Sequence, residues 1–274
     1  MKQENWILLA YIGFIFIWRQ IVSSIEILTV LSSLPLSDYL PQNSPVLIWN
    51  LIVIGVPLIL FFETYIKYLI VNRVLGAVEF LPVQLESFDY VDQSKFKKYT
   101  IDFETLGFNR LIDYTVSHQG GVGRVFVNLE CQCFAEIGQA EQVPMFCSVS
   151  GCMEKDYAVA VANLSMGKDL DSVDYSFLTA PEMIGVRLNT TSVELLFESF
   201  LSLRSRVMED LDISPIPLKT AEDNFEFLRL RQRQKRQALL RSSITVRLIK
   251  MFDYRIRPKP FNRYERTFLE TGKF

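Results

Sequence analysis

Residues 111–162 read LIDYTVSHQGGVGRVFVNLECQCFAEIGQAEQVPMFCSVSGCMEKDYAVAVA, and this stretch decides the fold. Runs rich in β-branched and aromatic residues are separated by turn residues. The runs are Leu111–Val116, Arg124–Leu129, Cys131–Ile137, Met145–Val149 and Tyr157–Ala162, and a sixth follows at Met183–Leu188. Short connections between them predict an antiparallel meander of about five to six strands. Upstream, Asp102–Phe108 reads as a brief helix that ends at Gly107. Downstream, Thr191-Ser-Val-Glu194 has the form of a capping box. It opens a helix through about Met208 with Val193, Leu196, Phe197, Phe200, Leu201 and Leu203 on a broad apolar face. A helix of this kind covers one face of a sheet. The expectation is an α+β domain over residues 87–212.

The N-terminal part is different in kind. From Met1 to Val71 there are four Asp/Glu and three Lys/Arg. Val46–Phe62, VLIWNLIVIGVPLILFF, is 17 residues with one polar side chain, Asn50. As a helix it spans roughly 26 Å, close to the hydrocarbon thickness of a bilayer. Trp49 stands near its start and Tyr65 and Tyr68 just past its end, where interfacial aromatics belong. A second apolar segment precedes it, so residues 1–75 are read as a membrane anchor of two helices, about 5–31 and 46–71. In the first helix Arg19, Gln20, Ser23, Ser24 and Glu26 fall in one sector of roughly 160°. Polar groups at bilayer depth face a partner or water. The segment between the two helices, Ser32–Pro45, has no Lys or Arg, whereas Lys67 and Arg73 follow the apolar run Val46–Phe62. The positive-inside rule therefore predicts an integral membrane protein with both termini and the bulk of the chain in the cytoplasm. The sequons at Asn163 and Asn189 would then carry no glycan.

The net charge of −2 hides an asymmetry: Leu228–Phe274 holds 14 Lys/Arg against 3 Asp/Glu. Ile213-Ser-Pro-Ile-Pro217 marks a linker over 213–220. The segment 221–274 is read as a basic helix, from Thr220 to about Phe252, and a basic tail. Its first half, LRLRQRQKRQ, has no clean apolar stripe. Its second half sets Leu240, Ile244, Leu248 and Met251 along one face. Arg229, Arg231, Arg233, Lys235, Arg236 and Arg241 form the expected basic surface. Its partner would be another protein or this chain's own acidic domain, or an anionic lipid surface. The interleaved aromatics form no stacking module, so nucleic acid is the least supported partner.

Few residues carry recognisable chemistry. Cys131, Cys133, Cys147 and Cys152 are weak metal candidates because neither pair has CxxC spacing. Ordinary buried thiols explain them better. Gly120-Gly-Val-Gly-Arg124 lacks the lysine of a phosphate loop and the helix of a dinucleotide fingerprint, and is read as a hairpin turn. His118 is the only histidine and sits in that turn. Glu154/Asp156 and Asp169/Asp171 are read as solvated loop carboxylates. The sequence thus predicts no cofactor and no enzyme. It points to a non-catalytic, membrane-anchored interaction or assembly factor. One alternative is a small-molecule or lipid-binding module with a pocket between the sheet and helix 191–208. Another is a thiol-based metal or redox protein.

Overall fold

The computed structural model of the chain describes residues 44–73, 79–116, 120–141, 143–163 and 168–272. The chain divides into two compact units, Met1–Tyr68 and Leu69–Phe274. The first described element is a single helix, α1, Ser44–Arg73, with Pro57 inside it. Its 18-residue window Gly55–Asn72 is long and apolar enough to cross a membrane. Phe61, Phe62, Tyr65 and Tyr68 along it are exposed. Of the expected transmembrane hairpin, only this helix falls within the described residues. The first expected helix, with Arg19, Gln20, Ser23, Ser24 and Glu26, lies outside the described residues.

The second unit is an α+β fold on one seven-stranded sheet. The strands run in simple sequence order: β1 (Phe80–Pro82), β2 (Asn109–Val116), β3 (Gly121–Asn128), β4 (Cys133–Ala140), β5 (Val143–Cys152), β6 (Ala158–Ala162) and β7 (Met183–Arg187). Neighbours from β1 to β6 are antiparallel, as the meander reading requires. The β6–β7 pair is parallel, which makes the sheet mixed and corrects the purely antiparallel expectation. The chain returns through a helix, α3 (Lys168–Val173), that runs into a π-helical turn, Asp174–Leu178. Parallel pairing demands such a crossover.

Side chains alternate between two sheet faces, and each face has its own cover. One face carries Phe126, Ile137, Val149, Val159 and Val186 into the main core. Helices α2 (Gln93–Thr105) and α4 (Val193–Leu211) pack there with Phe96, Phe103, Phe200 and Leu203. Asp92 caps α2 by accepting from the Lys95 amide, so that helix starts earlier than Asp102. Ser192, one residue later than read, caps α4. Buried Arg124 makes a two-pronged ion pair with Asp113 on β2 and donates to Thr100 Oγ1 on α2 at 2.8 Å. A buried pair is tolerable only with this degree of satisfaction, and it ties α2 to the sheet.

The opposite face is covered by the basic helix. α5 (Ala221–Arg241) begins with a capping box between Thr220 and Asp223. The chain breaks at Ser242–Ser243 and continues as α6 (Ile244–Ile256) and α7 (Arg263–Thr271). The single helix to Phe252 and the extended tail are thus three helices, in the same compact unit as the sheet. Phe225 and Phe227 near the start of α5 join Tyr114, Val125, Val127 and Phe134 in a smaller apolar cluster. Phe225 stacks on Phe80 with ring centroids 4.6 Å apart.

Candidate functional site: a charged cavity under the basic helix

Beyond Phe227 the sequence of α5 turns polar, and the residues that face the sheet are Leu228, Arg231, Gln232 and Lys235. Their spacing places them on one side of a helix. Below them the sheet offers small side chains. In β6, AVAVA, Val159 and Val161 point into the main core, whereas Ala158, Ala160 and Ala162 point the other way. Ser148 and Gly185 flank them in neighbouring strands. A face of small residues cannot fill the space beneath a helix, and a cavity of about 700 Å³ results. Phe80, Val116, Phe146, Leu178 and Phe261 add apolar wall.

The polar groups of this cavity come from three directions. From the sheet, Tyr114 Oη donates to Glu136 Oε1 at 2.6 Å. Tyr114 and Glu136 stand in adjacent rows of the register. One row is Tyr114–Gly123–Gly138–Phe146 and the next is Ile112–Val125–Glu136–Ser148–Ala162–Arg187. The two glycines are structural necessities. A Cβ on Gly123 would lie 2.8 Å from the Tyr114 ring, and one on Gly138 2.5 Å from the Phe146 ring. Within the glycine-rich stretch Gly123 therefore serves as the platform for the Tyr114 ring, and Gly138 in β4 does the same for Phe146; His118 lies outside the described residues. From β7, Arg187 donates to Asp171 Oδ1 at 2.7 Å and to Tyr254 Oη at 3.2 Å, and its guanidinium stands 3.7 Å from the Phe261 ring centre. Asp171 is thus buried and paired, not solvated as read. From α5 come Arg231 and Lys235.

Electrostatics single out these last two. Neither side chain has an ion pair or hydrogen bond with a described residue, though the Arg231 guanidinium stands 5.6 Å from the Phe227 ring centre. Desolvation depresses the pKa of both; Glu136 and then Asp174 favour the charged form of Arg231, and Asp174 favours that of Lys235. Burial raises the Glu136 carboxyl above the ordinary carboxylate value, against the opposing effects of the Tyr114 hydroxyl and Arg231. Burial, with the Glu136 charge adding to it, also pushes the Tyr114 phenol well up. Glu136 accepts from Tyr114 and Asp171 from Arg187, while Asp174 also lines the cavity near the two cations without a salt bridge to either. A cavity wall with two unpaired cations and a large apolar fraction accepts an anionic group attached to an apolar body.

The six residues expected as a basic surface divide accordingly. Arg231 and Lys235 line the cavity. Arg229 is neutralised by Glu222 and Glu226 at 2.7 and 2.6 Å. Arg233, Arg236 and Arg241 are exposed and do not line this cavity. The cysteines do not converge. Cys133 and Cys147 are buried in the main core, Cys152 is on the opposite face, and Cys131 lies in the turn before β4. Burial raises the Cys133 thiol to about 12 and pushes up that of Cys147 as well, so both stay protonated at neutral pH. Among the described residues no group of three or more His, Cys, Asp or Glu is placed to hold a metal ion. Glu136, Tyr114 and the small residues of β6 were missed in the sequence. The available signal was the strict large–small alternation of AVAVA opposite a helix without an apolar stripe. No family model, curated protein or solved structure matches this chain.

Proposed function

We propose that this protein is a membrane-tethered binding protein. Its cavity between α5 and the sheet holds a small amphiphile with a carboxylate or phosphate head. The single observation that carries this reading is the pair Arg231 and Lys235, which face the cavity without a salt bridge to any described carboxylate. Removing a cation from water costs several kcal/mol unless it is compensated, and an anionic head supplies the compensation. The apolar wall of Phe80, Phe146 and Leu178 suits the body of such a molecule. The volume is in the range of ordinary ligand sites. Tyr114 and Glu136 form the polar wall across from the cations, and the reading assigns them no catalytic step. The ligand-binding alternative is thereby favoured over the assembly-factor reading. The pocket lies on the α5 face, whereas the face toward helix 191–208 is filled by aromatic and aliphatic core. Within the same proposal α1 crosses the membrane once, and the flanking charges place the binding domain in the cytoplasm.

The test titrates the full-length chain in a neutral detergent with octyl phosphate, using octanol as the uncharged control. Saturable binding of octyl phosphate, weakened about tenfold or more by Arg231→Gln or Lys235→Gln, is the expected result. Equal uptake of octanol, or affinity untouched by both substitutions, would remove the proposal.

A further inference from the structure

We infer that α6 is an interfacial helix that lies on the surface of an anionic lipid bilayer, a property separate from the cavity and its ligand. The helix is covered on one side and carries an exposed apolar stripe on the other. Its inner side, with Ile244, Arg247 and Tyr254, is buried against the domain. Its outer side carries Val246, Ile249, Phe252 and Ile256, which are 50%, 63%, 56% and 75% exposed. At 100° per residue these four fall within a sector of about 120°. Four large apolar side chains in one stripe on a thirteen-residue helix form a contiguous patch, and such patches mark contact surfaces.

Charge decides the kind of surface. Lys250 on the edge of the stripe, Arg241 before the helix and Arg257 just after it are exposed. No side chain of the three has an ion pair or hydrogen bond with a described residue. The acid on this helix, Asp253, is already paired with Lys259. An apolar stripe bordered by free cations matches a bilayer surface, where the stripe enters the acyl boundary and the cations stay among the head groups. Each such cation raises partition onto an anionic leaflet about fivefold. The helix is also held firmly. Arg247 donates to Ser176 O and Ala238 O at 2.7 Å each and to Ser242 Oγ. It therefore clamps α6 to the end of α5 and to the π-helical turn, so the stripe is presented on a fixed body. A membrane tether in the same chain multiplies weak contacts of this sort by raising their effective concentration.

Hydrogen exchange on the full-length chain in lipid nanodiscs tests the inference. In phosphatidylcholine mixed with phosphatidylglycerol, the amides of 244–256 are expected to exchange about tenfold more slowly than in phosphatidylcholine alone. The double variant Ile249→Asp/Phe252→Asp, which alters only exposed positions, is expected to abolish that difference and to keep octyl phosphate binding intact. Equal exchange in the two lipids would overturn the inference. So would a slowing that appears in neutral lipid and grows with protein concentration, because that would mean a second copy covers the stripe. Neither result bears on the cavity, which octyl phosphate reads independently.

Discussion

Glu136 sits with one carboxylate oxygen 2.6 Å from the Tyr114 hydroxyl, and burial raises its pKa above 4.5. The folded state therefore binds this proton more tightly than the unfolded state. The penalty for ionising it is absent below about 4.5 and grows as pH rises through the window up to the folded value. Glu136→Gln keeps an acceptor for Tyr114 and removes the charge. It is expected to raise the melting temperature at neutral pH and to change it little at pH 4, as thermal unfolding at the two pH values would check. Lys235 and Arg231 are the mirror case: burial lowers their pKa, so their charged forms burden the fold at neutral pH. Substituting Arg231 by Met should leave the melting temperature unchanged or higher while octyl phosphate binding is lost. A residue whose loss helps the fold and harms binding is retained for the site.

At the scale of elements, the strands and their sequential antiparallel pairing were legible, and the direction of the last one was not. All six expected runs are strands, within a few residues at each end. The three-residue β1 is too short to show a period. The direction of β7 is not written in Met183–Leu188, because alternation reports which side is buried and not which way a neighbour runs. Gly123 shows how an element serves the site: it exists as glycine because the Tyr114 ring lies over it. Gly123→Ala is expected to cost about 1–3 kcal/mol by overpacking, read as a lower urea midpoint. Gly185→Ala, where an added Cβ meets nothing within 4 Å, should stay within about 0.5 kcal/mol. The α5 helix was read as a basic surface for another protein, this chain's own acidic domain or anionic lipid. Its missing apolar stripe was the clue that its middle covers a polar cavity. Arg231 and Lys235 were therefore named for their charge, while Tyr114 and Glu136, a tyrosine and a glutamate in ordinary strands, carried no signal of their own.

At the scale of the whole molecule, a unit containing a long apolar helix accompanies an α+β unit with a charged cavity and an apolar ridge. If α1 spans a bilayer as proposed, the chain should remain in the pellet when membranes are washed with alkaline carbonate, and should enter solution with detergent. Recovery in the carbonate supernatant would count against the tether and leave the cavity reading standing. Local pattern alone determined that there is a sheet of alternating strands, a capped amphipathic helix after it, an apolar segment near the N-terminus and a basic C-terminal third. Those properties are set by residues close together in the chain. Tertiary structure alone decided that the last strand runs parallel, that the basic helix closes over the second face of the sheet, and that two of its cations look inward. Those outcomes depend on contacts between residues far apart in sequence, where the periodicity of one element says nothing about the partner that will cover it.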